Sequence, residues 1–96
     1  MATSVARVAT PLPGRYLGQL CKHFAHRLPV TQEETRGSIA FPAGTCRLAA
    51  EGEVLVLSLE AADAAALPGL EDVVARHLRR FAFRAPSEIA WTRDAG

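Results

Sequence analysis

Long apolar runs are missing from this 96-residue chain. Runs such as Val54-Leu55-Val56-Leu57 are four residues long, against the ~20 needed to cross a bilayer, so no membrane-crossing helix is expected. Cysteine is scarce: Cys21 and Cys46 are the only two. The first ten residues hold Arg7 within a short β-like stretch and no continuous apolar core, which argues against a signal peptide. Two cysteines without an export signal predict free thiols in a reducing cytoplasm. A strong net charge is also lacking; the formal value is +1, and with no recognisable nucleic-acid motif this argues against nucleic acid as a partner. The chain has no repeat, linker or low-complexity tract, and it carries no phosphate loop and no strand-turn-helix nucleophile elbow. It reads as one domain, residues 1–96.

The chain does contain enough apolar material for one core. It is 49% apolar and 22% charged, the balance of a soluble globular protein. A chain this long buries somewhat over ~60% of its unfolded surface, with little surplus. The near-neutral charge conceals an asymmetry. Residues 13–28 hold Arg15, Lys22 and Arg27 with no acid, and residues 68–84 hold four arginines (76, 79, 80, 84) against Glu71 and Asp72. Both segments are therefore basic and the remainder is acidic, which gives either a solvated helix surface or a positive face for an anionic ligand or acidic partner.

Hydrophobic periodicity assigns the elements. Residues 4–9 form a first strand, and Pro11 and Pro13 break it, with Pro13 suited to a helix's first turn. In residues 13–28, Leu17, Leu20, Cys21, Phe24 and Leu28 recur as a core-facing helical stripe, which Pro29 ends. Strands are predicted over 30–34, 38–41, 45–50 and 54–60. Turns are expected at Arg36-Gly37, at Pro42-Ala43-Gly44 and at Glu51-Gly52. Asp63 is a candidate N-cap for the second helix, where Pro68 suggests a separate or kinked first turn. Leu67, Leu70, Val74, His77, Leu78 and Phe81 form its inward stripe. A last strand over 88–92 brings Ile89 and Trp91 onto one face. The order β-α-β-β-β-β-α-β predicts an α+β two-layer sandwich, a mostly antiparallel sheet with two helices on one face. Helices cover only one face of the apolar strand 54–60, so Val54, Val56, Ala49 and Ala90 are expected to leave a bare face through which two copies pair as a homodimer or a partner domain docks.

Three blocks resemble a known family. They are Arg15-Tyr16-Leu17-x-Gln19-Leu20-Cys21-Lys22-His23-Phe24-x-His26, then Phe41-Pro42-x-Gly44-Thr45-Cys46, then Leu70-Glu71-Asp72-Val73-Val74-Ala75-Arg76-His77-Leu78-x-Arg80-Phe81-Ala82-Phe83-Arg84. Together they resemble the bacterial domain of unknown function twenty-two eighteen, over almost the whole chain. The resemblance implies no activity. Members of that family tend to be encoded beside, or fused to, siderophore-interacting flavin reductases, which implies a link to iron handling by association. The departure from the pattern is Pro68-Gly69, which bears on the start of the second helix.

Chemistry-bearing side chains concentrate in the segment from Cys21 to His26. At ~100° per residue, Cys21 and His23 lie about 160° apart around a helix and do not share one metal. An inward set of Cys21, Cys46 and His77 offers two thiolates and an imidazole to a metal ion such as zinc or iron, or to haem. Against it, buried cysteine commonly behaves as a small hydrophobe, and the spacings match no named metal motif. A second set, His23 and His26 on the more exposed side of the first helix, lies near Lys22, Arg27 and Arg15. With Arg76 it suits an anionic group better than a bare cation. A Cys46–His77 nucleophile dyad is the third reading and requires an exposed, activated thiol. Phe81, Phe83 and Trp91 are assigned to the core or its rim. The leading expectation is a non-enzymatic accessory module linked to iron or siderophore metabolism.

Overall fold

Period-two alternation builds the sheet and period-3.6 stripes build the layer on top of it. The computed structural model describes residues 1–81 and 89–94, with Phe81 described by its backbone alone. Its elements are β1 (Ala2–Ala9), α1 (Pro13–Ala25), β2 (Val30–Gln32), β3 (Arg36–Phe41), β4 (Gly44–Glu51), β5 (Val54–Ala61), α2 (Leu67–Phe81) and β6 (Trp91–Asp94). A single turn of 3-10 helix, Ala64–Ala66, precedes α2. The predicted α+β order is the observed one.

The six strands form one antiparallel sheet in the order β2-β3-β4-β5-β1-β6. Strands β2 to β5 are a meander of hairpins, and β1 lies between β5 and β6. Because β1 runs antiparallel to both neighbours, β5 and β6 run the same way and need a crossover, which α2 supplies. Residues Ala2, Ser4, Ala6 and Val8 of β1, with Leu55, Leu57, Leu59 and Ala61 of β5, point under the helices and are buried. Against them pack Leu17, Leu20, Cys21 and Phe24 of α1 and Leu67, Leu70, Val74 and Leu78 of α2. Each fully buried leucine contributes about 1.5–3 kcal/mol from removal of its side chain from water. These stripes are the ones the periodicity predicts, except that Phe81's side chain lies outside the described residues.

The boundaries carry local explanations. Pro13 opens α1, where its missing N–H costs nothing. The helix stops at Ala25, three residues before the predicted end. Its last turn tightens as the Arg27 N–H donates to the Phe24 carbonyl at 3.1 Å, and His26 and Arg27 fall beyond the helix's end. Asp63 caps the 3-10 turn, its Oδ1 accepting from the Ala65 N–H at 2.9 Å. Pro68 then falls in the first turn of α2, where no intrahelical donor is required.

Two predicted turns are displaced. Arg36 and Gly37 lie in β3, paired with Ala49 and Leu48; the reversal falls just before them, where the Glu33 N–H donates to the Arg36 carbonyl at 2.7 Å. Gly37 sits in a strand because α1 comes too close for a side chain: a Cβ there would lie 2.7 Å from Cys21 Sγ. The hairpin between β4 and β5 turns at Gly52-Glu53, with Gly52 in the left-handed region at φ +59°. The last strand, predicted over 88–92, begins at Trp91 and runs to Asp94. Ile89 and Trp91 both pack against the core as expected, while the predicted helix end at Arg84, Phe83, and Glu88 of the predicted strand lie outside the described residues.

On the sheet's other face, Val56 is nearly buried, Val54 and Ala49 are half-buried, and Ala90 is exposed before β6 begins. Arg36, Arg47, Thr31, Ser38 and Ser58 surround Val56 there in a shallow groove, so the apolar patch is interrupted by polar and charged groups.

Candidate functional site

The two helices converge at the C-terminal turn of α1 and the second half of α2, and the sequence puts aromatic and cationic residues on both sides of the seam. Phe24 belongs to the inward stripe of α1, and His23 is its neighbour on the border of that stripe. His77 occupies the border of the inward stripe of α2. The His23 and His77 ring centroids are 4.8 Å apart with planes tilted by 42°. Phe24 lies 4.9 Å from His77 and meets His23 edge-on at 5.1 Å. Beneath them Phe24 meets Phe41 of β3, also edge-on, at 5.1 Å. Such edge and tilted contacts are favourable beyond the area they bury.

This ring cluster forms one wall of a groove of about 480 Å³ lined by His23, Phe24, His26, Arg27 and Leu28 from the α1 end and by His77 and Arg80 from α2. Among the described residues no carboxylate lines it. Among the described residues the ion pairs are Arg47–Glu60, Arg76–Asp72 and Arg93–Glu71, so neither Arg27 nor Arg80 has an acidic partner. The field is felt by His23, whose pKa is lowered by partial burial first and then by His77, Arg80, His26 and Arg27. His77 is oriented by its own helix: Nδ1–H donates to the Val73 carbonyl at 2.7 Å. A carbonyl can only accept, so Nδ1 carries the proton and Nε2 is the ring nitrogen left for other partners. The arrangement is suited to holding an anion against an apolar, aromatic floor.

The inward metal set does not assemble. Cys21 and Cys46 are wholly buried beneath α1, Cys46 between Ile39 and Leu59 on the neighbouring strands, whereas His77 is turned to His23 and the groove. Among the described residues no group of three His, Cys, Asp or Glu side chains is placed to hold a metal ion. The physical reason is that His77 sits at the edge of its stripe, outside the core layer that both thiols fill. The nucleophile reading of Cys46 meets the same obstacle. Burial, with Cys21 as a lesser cause, pushes the Cys46 thiol up to about 12, the opposite of an activated thiolate. Burial also raises the Cys21 pKa.

Of the predicted anion set, His23, His26 and Arg27 share the groove, but Lys22 and Arg76 do not line it. Lys22 is exposed on α1, and Arg76 leans along its own helix to Asp72 at 3.8 Å. Arg80, outside the predicted set, does line the groove. Its signal was present: it lies three residues after His77, hence on the same side of α2.

A second polar cluster, also not anticipated, lies at the other end of α2. Glu71 is 8% exposed and Ser4 fully buried. The Ser4 hydroxyl donates to Glu71 Oε2 at 2.7 Å, and Arg93 donates to both carboxylate oxygens. The acid accepts three hydrogen bonds from Ser4 and Arg93, which makes it a structural clamp between β1, α2 and β6.

The family model described as an uncharacterized protein conserved in bacteria (DUF2218) matches residues 5–92. The chain is similar to the protein in a solved NMR structure, PA4090 from Pseudomonas aeruginosa, with 36% identity, 96% coverage of each chain and a TM-score of 0.80. No curated protein matches it.

Proposed function

Because the chain belongs to this family of uncharacterized bacterial proteins, we propose its role from the site alone: a non-enzymatic binding module that takes an anionic ligand in the groove between α1 and α2. The supporting observation is the pairing of Arg27 and Arg80, without acidic partners among the described residues, over a groove whose described lining holds three imidazoles and no carboxylate. A small open groove with fixed cationic groups favours an anion by direct charge pairing, and its exposure to solvent makes that pairing dependent on ionic strength. The anion we have in view is an iron chelate bearing carboxylates, or the acidic surface of a siderophore-interacting flavin reductase. The reading places the protein as an accessory to iron handling.

Charge reversal tests it. Arg27→Glu combined with Arg80→Glu is expected to weaken binding of a carboxylate-bearing ferric siderophore, and of such a reductase, by about tenfold or more, each tenfold being 1.4 kcal/mol. Binding unchanged by the double reversal overturns the proposal.

We propose in addition that two copies pair through the face carrying Val54, Val56 and Ala49. Val54 and Ala49, half-buried on the sheet face opposite the helices, support it. Sedimentation equilibrium is expected to give a dimer; a monomer across the accessible concentration range removes this assignment.

A further inference from the structure

The groove is walled by rings as well as by cations, and that combination narrows the ligand. We infer that the anion it selects is a small aromatic carboxylate, with its ring against Phe24 and the His23–His77 pair and its carboxylate against Arg27 and Arg80. This inference rests on the anion-binding reading above and adds the chemical class.

Three observations carry it. Phe24 and Leu28 present carbon to the groove. A compact, strongly hydrated oxyanion such as phosphate would meet the arginines but bring the water on its remaining oxygens onto those groups, which is unfavourable. Next, His23, His77 and Phe24 already form mutual tilted and edge contacts with centroids 4.8 to 5.1 Å apart, an array that a further aromatic ring extends in the same geometry. Finally, the guanidinium of Arg binds a carboxylate through two parallel N–H donors while its flat face accepts an aromatic ring. Arg27, from the turn that follows α1, and Arg80, from α2, line the same groove as the ring array. The volume of about 480 Å³ lies within the range of small-molecule sites. A metal cation is disfavoured by the same positive field that lowers the His23 pKa.

The test compares two carboxylic acids of equal charge and similar size, with inorganic phosphate as a smaller, strongly hydrated anion. Benzoate, cyclohexanecarboxylate and inorganic phosphate are titrated into the full chain while the ring signals of His23, His77 and Phe24 are followed by NMR. Benzoate is expected to shift all three and to bind about fivefold or more tighter than cyclohexanecarboxylate, with phosphate weaker than either. Arg80→Gln is expected to weaken both acids alike, and Phe24→Leu to erase the preference for the aromatic acid. Phe24 belongs to the core, so the comparison of acids on the unaltered protein decides the matter if that variant does not fold. Equal affinity for the two acids, or phosphate binding at least as tightly as benzoate, overturns the aromatic assignment and leaves the anion-binding reading standing. Failure of every probe to shift the groove residues overturns both.

Discussion

Glu71 and Arg93 close a two-pronged ion pair between α2 and the last strand, with Nε to Oε2 at 2.8 Å and Nη2 to Oε1 at 2.7 Å. Strand β6 has four residues and pairs with β1 at the sheet's edge, and this contact and the packing of Trp91 tie it to the layer above. The pair sits at the boundary of the core, with the acid nearly buried and the arginine about half exposed.

Acid should release this clamp. The Arg93 hydrogen bond, more than any other contact, holds the Glu71 pKa below its ordinary value of 4.5; burial opposes it and the Ser4 hydroxyl assists. A folded-state pKa below the unfolded one means that the unfolded chain binds more protons between the two values. The stabilisation is therefore complete above the unfolded pKa and is lost as pH falls through the folded one. Urea unfolding from about pH 5 downward is expected to show a steeper loss of stability in the parent than in Arg93→Gln, which is less stable at neutral pH. Ser4→Ala removes a buried hydrogen bond to a charged group and is expected to cost about 1.5–3 kcal/mol. Equal acid slopes for the parent and Arg93→Gln contradict this account.

The thiols should be silent in the native state. With Cys46 wholly buried and its thiol pushed up to about 12, iodoacetamide at mildly alkaline pH is expected to leave the folded chain unmodified. Both cysteines should react once denaturant is added, because the thiolate is the nucleophile and unfolding restores its ordinary acidity. Rapid labelling of Cys46 in the folded protein is the opposing result.

Gly37 should be irreplaceable for a steric reason. An added Cβ would meet Cys21 Sγ at 2.7 Å and the Thr31 carbonyl oxygen at 3.2 Å, so Gly37→Ala is expected to cost about 1–3 kcal/mol through overpacking. In combination with Cys21→Ala, which deletes the nearer atom, part of that cost should be recovered, and a double-mutant cycle measures the coupling. Strict additivity of the two substitutions refutes the contact.

How far these features were legible in the sequence depends on their range. The stripes Leu17-Leu20-Cys21-Phe24 and Leu67-Leu70-Val74-Leu78 are readable because helical periodicity is local, and they fix the layer order once the strands alternate. Helix geometry alone also separates Cys21 from His23. The union of His77 with His23 is different, because it depends on how α1 and α2 meet over the sheet. From the stripe alone, His77 belongs with the thiols; its position at the stripe's edge is a tertiary fact. Arg80 becomes part of the site only through that same meeting. The Glu71–Arg93 pair spans 22 residues, and nothing near either residue marks the other. Gly37 reads as a turn residue until α1 is laid over it.

The titration of His23 tests the electrostatics on which the groove's proposed role depends. Its pKa is lowered by burial and by His77, Arg80, His26 and Arg27, so it is neutral at pH 7 and charges only below the ordinary value of 6.5. The sign for stability follows: as pH falls below 6.5 the unfolded chain takes up a proton before the folded one does, and His23 then detracts from stability. Arg80→Gln removes one of the positive neighbours and is expected to move the His23 titration upward toward 6.5, followed by the imidazole Cε1–H resonance. A bound anion should move it the same way in the unaltered protein, because a negative charge in the groove favours the imidazolium. Both shifts have one cause, so an anion that binds in the groove yet leaves the His23 titration in place would show that it does not sit among these cationic groups.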